Sequence, residues 1–334
     1  LRLGSKPLLA ILGLAAVCAG WSIFWKLASN ATQSGLDDWF AMERQAGRVW
    51  KCQERSVGGY PFKIEARCSK PTFSGRVAGV HVAGSMGDIL ASASAFSPNL
   101  IVGNASPPLL IQSTPDIGSA SITWSGLSVS YRAREGTLQL GMLSIDAPNF
   151  EIDSPRFEPI RVSAAAVEAR ALPSEKGPNV LEVAFDAKDV SAPLIDRLIG
   201  DEKPFDLVAT ATISRLDAIS TSSNALPIER WRRAGGQVQL VELNAAKGEI
   251  AITSSGTLEL DAGHRPRGRF QIDATGLTDL MDKLGIPSSL LALGSLIGGG
   301  APSRPGATRL SINLENGRAL IGPVRLPFEL PPLY

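Results

Sequence analysis

From residue 57 onward the chain keeps returning to a period of two, and this alternation restricts its fold more than any other feature. Phe62, Ile64, Ala66 and Cys68 alternate with Lys63, Glu65 and Arg67, and Leu127, Val129, Tyr131 and Ala133 alternate with Ser128, Ser130, Arg132 and Arg134. The pattern recurs at Leu181, Val183 and Phe185, and at Phe205, Leu207, Ala209, Ala211 and Ile213. It returns at Leu258 and Leu260, at Phe270 and Ile272, and at Leu310, Ile312 and Leu314. Successive strand side chains point to opposite faces, so each of these segments reads as a half-buried strand. Turn chemistry separates them at Gly58-Gly59, Ser125-Gly126, Glu135-Gly136, Lys247-Gly248, Ser255-Gly256, 261–268 and Asn316-Gly317. The expected fold is mainly β: a long, curved, largely antiparallel sheet with a few short helices. Those helices are expected at Pro227 to Arg233, terminated by Gly235, at 278–284 and at 288–297, followed by a flexible Gly/Pro loop at 298–306.

One apolar face on every strand has to be covered by a second sheet, by helices or by a ligand. Aromatic residues are only 6% of the chain, so small and aliphatic side chains dominate the inward set. That composition suits a smooth apolar groove and a tightly packed sandwich alike. Phe185 and Leu207 are the candidate groove-lining residues.

The N-terminus has a different character. The first 36 residues carry Arg2, Lys6 and Lys26 and no acid, and in the 19-residue run from Pro7 to Trp25 the only conventional polar side chain is Ser22. As a helix this run spans about 28 Å, close to the hydrocarbon thickness of a bilayer and longer than the usual core of a signal peptide. The basic head and the aromatic end at Trp21, Phe24 and Trp25 predict a single inner-membrane span with a cytoplasmic N-terminus and a periplasmic remainder. Cleavage after Ala31 is the competing reading. Residues 1–33 are thus expected to form head, anchor and linker, and 34–334 a β-rich domain. Ser34 is expected to N-cap an amphipathic helix carrying Leu36, Trp39, Phe40 and Trp50 near one face, against the core or on the membrane surface.

Without the anchor's three basic residues, 30 basic and 32 acidic residues remain, a balance that offers no footprint for nucleic acid. In an oxidising compartment Cys52 and Cys68, with 15 residues between them, form a plausible disulfide. Two histidines and three cysteines leave little for metal or histidine-based catalysis, and no cofactor motif is present. Ala83-Gly84-Ser85-Met86-Gly87 matches a nucleophile elbow after the strand-like Val80-His81-Val82, but such an elbow needs a following helix and a suitable acid and histidine downstream. His264 sits in a turn, so a glycine-rich β-turn is the expected form. Arg230, Arg232 and Arg233 make the one local basic cluster, either a solvated helix face or a headgroup site.

Gly59-Tyr60-Pro61-Phe62 after an aromatic-rich helix, with Cys52 and Cys68 around it, resembles a bacterial envelope family known as domain of unknown function 2125. The stretches Trp231 to Gly235-Gly236, Ser255-Gly256 to Asp261 and Pro266 to Phe270 resemble the same family's C-terminal signature. The organisation is more loosely similar to AsmA-like proteins, an inner-membrane helix followed by a curved periplasmic sheet, for which the resemblance implies handling of envelope lipid. The expectation is a non-catalytic protein without cofactors that binds or organises phospholipid or other hydrophobic envelope material. The alternative is a scaffold of an envelope complex, with a dry β core and protein partners.

Overall fold

The computed structural model describes residues 5–77, 80–113, 118–135, 137–155, 157–220, 226–276, 307–321 and 324–334. One helix, α1 (Ser5–Gln45), contains both the apolar run and the segment expected to start a second helix at Ser34. No proline interrupts residues 26–45, and Ser34 lies inside the helix, so the expected linker and cap are not formed. The stop lies further on. Gly47 adopts φ +76°, its N–H bonds to the Arg44 carbonyl, and the Arg48 N–H reaches back to that of Glu43, a Schellman closure. Trp50 therefore sits beyond the helix and packs against Trp39 from a strand, with ring centroids 5.8 Å apart.

The chain then runs through β1 (Val49–Lys51), β2 (Glu54–Gly58), β3 (Lys63–Ser69), β4 (Thr72–Val77), β5 (Val80–Ser85), β6 (Ile89–Ser94) and β7 (Ser97–Ala105). It continues through β8 (Leu109–Gln112), β9 (Ser119–Thr123), β10 (Gly126–Arg134), β11 (Thr137–Asp146), β12 (Asn149–Ser154), β13 (Phe157–Ser163), β14 (Ala166–Pro173) and β15 (Leu181–Val190). After α2 (Pro193–Ile199) come β16 (Phe205–Ile213), α3 (Asp217–Ser220), α4 (Pro227–Arg233), β17 (Val238–Lys247), β18 (Ile250–Leu260) and β19 (Pro266–Thr275). β20 (Thr308–Glu315), β21 (Arg318–Ile321) and β22 (Val324–Glu329) complete the order. The helices expected at 278–284 and 288–297 and the loop at 298–306 lie outside the described residues.

Among the described residues the strands form two antiparallel sheets. The smaller has seven strands in the order β1-β4-β5-β8-β9-β12-β13, and the larger has fifteen, β2-β3-β6-β7-β10-β11-β14 and then β15 to β22 in sequence. Up to β15 the chain places hairpins alternately in one sheet and the other, passing between them through corners two or three residues long: 70–71, 86–88, 106–108, 124–125, 147–148 and 164–165. Such short corners leave no room for the sheets to separate at this edge, so they diverge from a common spine as two walls.

Strand register carries the sequence alternation across the larger wall. Directly paired residues form one row, Val57, Ala66, Ala91, Gly103, Val129, Leu143, Ala169, Phe185, Ala209, Leu243, Ser254, Ile272 and Leu310, in which Ser254 is the one polar side chain. The smaller wall has the matching row Trp50, Phe73, Gly84, Ile111, Ala120, Ile152 and Ile160. The corners tell which side these rows face. Pro71, Trp124 and Pro148 are buried, and each is two residues from an apolar side chain on the row's face of the smaller wall: Phe73, Ile122 and Phe150. A side chain buried at a bend points into it, so the smaller wall's apolar face lines the inside of the angle; on the larger wall Ala187, two residues from Phe185 and next to the last corner, is buried in the same way.

The Cys52–Cys68 disulfide is present, with Cα atoms 5.3 Å apart. It ties the β1–β2 connection to β3, where the Gln53 N–H also donates to the Ser69 carbonyl over 2.8 Å. Removing both cysteines should cost about 3 kcal/mol, the loop entropy of a 15-residue closure, readable as a lowered urea midpoint. Alkylation of denatured, unreduced protein should label Cys18 alone, since it is the free cysteine; labelling of all three would refute the bridge.

Candidate functional site: an open apolar trough

The spine of the trough is built from backbone. The Met86 N–H donates to the Pro71 carbonyl, Ser106 to Asp88, Ser125 to Asp146, Ala147 to Ala165 and Ala165 to Lys188, so the corners are bonded to one another or to the adjoining strand ends. Asp88 holds one of them through Ser69 Oγ at 2.8 Å and the Lys70 N–H at 3.1 Å, contacts that lower its pKa, the Ser69 hydroxyl first. Trp124 fills another and donates its indole N–H to the Ala105 carbonyl over 2.9 Å.

Between the walls, the apolar faces are not closed off. The chain exposes 20288 Å², where a compact monomer of this mass would expose about 13,000 Å². Among the described residues thirteen apolar side chains are buried, and only Pro71, Trp124 and Pro148 of these, all at corners, precede residue 187. Val129 is 41% exposed and Tyr131 44% although both lie on the inner face. Among the described residues a buried apolar cluster forms at the far end of the row, from Leu310, Ala319, Ile321 and Leu326 on the last three strands. These exposures favour an open trough over a dry sandwich core, the other of the two architectures expected.

Phe185 and Leu207 stand side by side on this inner face, both half-buried. Phe185 pairs with Ala169 and Ala209, and Leu207 with Ala187 and Ala245. Small partners on either side keep both larger side chains raised above the wall. Beyond β13 the smaller wall stops. The next segment after the corner at Ser191 is α2, which packs on β13, pairs Arg197 with Glu158 at 2.9 Å and anchors Asp196 to the buried Lys247 ammonium at 2.7 Å.

The signature residues serve the frame of the trough. Gly59, at φ +97°, opens the β2–β3 turn, where a Cβ would lie 2.8 Å from the Lys63 carbonyl oxygen; Tyr60, Pro61 and Phe62 form its tip. Trp231 is buried, donates its indole N–H to the Ser214 carbonyl over 2.7 Å, and lies so close to Gly236 that a Cβ there would be 2.2 Å from its ring. Gly235, at φ +72°, ends α4 as expected. Gly256 clears space for the Phe270 ring and the Arg269 carbonyl of β19.

The arginine cluster is tied to a carboxylate and to backbone carbonyls, with Arg233 also exposed. Arg232 and Arg233 both bind the Glu229 carboxylate, at 2.8 and 2.5 Å, while Arg230 donates to the carbonyls of Ala218 and Ile219. Glu229 also accepts from the Tyr334 hydroxyl at 2.7 Å, and Tyr334 stacks on His264 at 4.4 Å. The Arg232 guanidinium first, then the Tyr334 hydroxyl, hold the Glu229 carboxyl far below the usual carboxylate range. A carboxylate with a depressed folded-state pKa stabilises above its unfolded value of about 4.3 and loses that contribution as pH falls through the folded one. The Glu229→Gln variant should therefore melt lower at neutral pH and lose less than wild type between pH 4 and acid, in thermal scans across that range; parallel curves would contradict it.

Ser85 of the Ala83-to-Gly87 stretch lies in β5 and leads through a corner into β6, so the strand–turn–helix of a nucleophile elbow is not formed. Gly84 instead accommodates the Phe73 ring. His81 sits on β5, remote in sequence and contact from His264. Among the described residues no group of three or more His, Cys, Asp or Glu is placed to hold a metal ion.

What the sequence left open was where the strands divide between two sheets. Strands β4 to β9 carry many Ser, Ala and Gly residues, which blur the contrast between faces; the proline-marked corners were the available signal. A comparison with curated proteins finds no match. The profile of a family described as uncharacterized protein conserved in bacteria (DUF2125) matches residues 25–327, which takes in both walls, the disulfide and every signature residue named above. The chain belongs to that family.

Proposed function

We propose that this protein is held in the bacterial inner membrane by α1 and uses its trough, on the periplasmic side, to bind the acyl chains of phospholipid or similar envelope material without catalysis. The observation that carries the reading is the apolar row from Val129 to Ala209 along a face whose side chains are half-buried or exposed. Apolar surface of that extent left in water is unfavourable by roughly 25 cal/mol per Å², and a contiguous patch of this kind marks a binding surface. An acyl chain offers the complement: apolar, flexible, and indifferent to position along a smooth wall. The two-walled part comprises eight strands of the larger sheet, a length of about 34 Å, roughly twice the depth of one bilayer leaflet. One chain is too short to bridge an envelope, so transfer over longer distances would require partners or multimers.

Native mass spectrometry of the detergent-extracted protein tests this reading. Phospholipid retained after detergent exchange is the expected result, and a lipid-free spectrum from a folded sample would reject it in favour of a scaffold. For the orientation, a reporter active only in the periplasm, fused after Tyr334, should be active and membrane-bound. Activity from a cytoplasmic reporter alone would reverse the topology, and a soluble periplasmic product would mean that α1 is cleaved.

A further inference from the structure

The rim of the larger wall, opposite the spine, consists of hairpin tips, and the first two differ from those that follow. The β2–β3 tip exposes Tyr60 at 56% and Phe62 at 58%, and the β6–β7 tip exposes Phe96 at 69%. Phe62 stacks on Phe96 with centroids 6.0 Å apart. Further along the rim, Glu135 occupies the β10–β11 tip and Ser174, Glu175 and Lys176 the β14–β15 tip. The aromatic character is thus confined to the end of the rim nearest α1.

The helix meets this patch where its apolar run ends. Trp21 donates its indole N–H to the Pro61 carbonyl at 2.9 Å, and Trp25 donates to that of Lys63 at 2.7 Å. Ser22 Oγ is 2.9 Å from the Tyr60 hydroxyl, while Trp21 stacks on Phe96 at 5.5 Å. N-terminal to these contacts the helix face is bare: Leu9, Ile11, Leu12, Leu14 and Val17 are all exposed, as a lipid-facing helix requires. Aromatic side chains concentrate at the headgroup level of a bilayer, where one end of the ring is apolar and the other wet. A patch fastened to the helix at residues 21–25 is held at the depth where that helix leaves the hydrocarbon.

We propose that the Tyr60–Phe62 and Phe96 tips are a bilayer-docking surface, which plants this end of the trough's rim in the interfacial layer of the membrane that α1 spans. The inference rests on α1 being a retained span and not on what the trough carries. Its consequence is positional: the trough's inner face starts at the membrane interface, so a lipid tail can enter along the rim without crossing open water.

The test uses the full chain with Cys18→Ala, reconstituted into phosphatidylethanolamine–phosphatidylglycerol vesicles. A bimane label is placed at Ala95→Cys, beside Phe96 but leaving it intact, or at Lys176→Cys on the polar tip. The expected result is that the label at position 95 emits blue-shifted and is quenched by nitroxide lipids but not by aqueous iodide, with the reverse at position 176. Iodide quenching at position 95 in protein that floats with the vesicles overturns the docking surface alone. Protein that does not float overturns the membrane span, and the docking surface with it. Replacing Tyr60, Phe62 and Phe96 together with serine should shift the label at position 95 toward water; unchanged emission from that floating variant also counts against the proposal.

Discussion

Replacing Leu207 by Asp should leave the protein folded and strip it of lipid. Leu207 is half-buried on an inner face that opens to solvent, between Ala187 and Ala245. The new carboxylate reaches water once the trough empties, so the several kcal/mol cost of an unpaired buried charge is avoided. With acyl chains in place the same charge is desolvated, and occupancy is lost instead. Thermal unfolding and bound phospholipid should be measured on one sample: cooperative melting near the wild-type temperature with lipid gone is expected. Collapse of the fold would mean that Leu207 packs in a dry core, and lipid retained at the wild-type level would remove it from the binding surface.

The second large effect is expected at the spine. Trp124→Ala should cost about 3–5 kcal/mol, the range for truncating a large buried aromatic, with an added penalty because the Ala105 carbonyl loses its indole donor. Against a typical domain stability of about 5–15 kcal/mol this is a severe lesion. Val129→Ala, on the wall, should cost less than about 1 kcal/mol, because its side chain is already largely in water. A urea titration of the two variants reads the contrast directly. Equal losses would show that the walls pack against one another and would contradict an open trough.

The alternation of Leu127 to Ala133 and of Phe205 to Ile213 was enough to read strands, faces and the mainly β class, because period two depends only on the geometry of one strand. The helix Pro227–Arg233 was equally legible from its proline start and glycine stop. The division into two walls was not, since it depends on where the chain bends. Lys70-Pro71 and Ala147-Pro148 bend by adopting positive φ at Lys70 and Ala147, residue types that give no advance notice of that conformation. Ser34 was misread because a good capping residue is only an option, and here α1 continues through it to pack Trp39 against Trp50. The two halves of the aromatic tip lie far apart in sequence, so Phe96 gave no sign of belonging with Tyr60 and Phe62 until the hairpins were aligned.

The central claim is that acyl chains occupy the concave face of the larger wall. Phe185 and Asp186 are neighbours on β15 that point to opposite faces, Phe185 inward with Ala169 and Ala209, Asp186 outward with Glu168 and Val208. The photo-crosslinking residue p-benzoylphenylalanine placed at each position in cells, irradiated and analysed by intact mass, separates the two faces of a single strand. Phospholipid adducts at position 185 and none at position 186 are the result this account predicts. Adducts at both positions alike, or none at position 185, would contradict it.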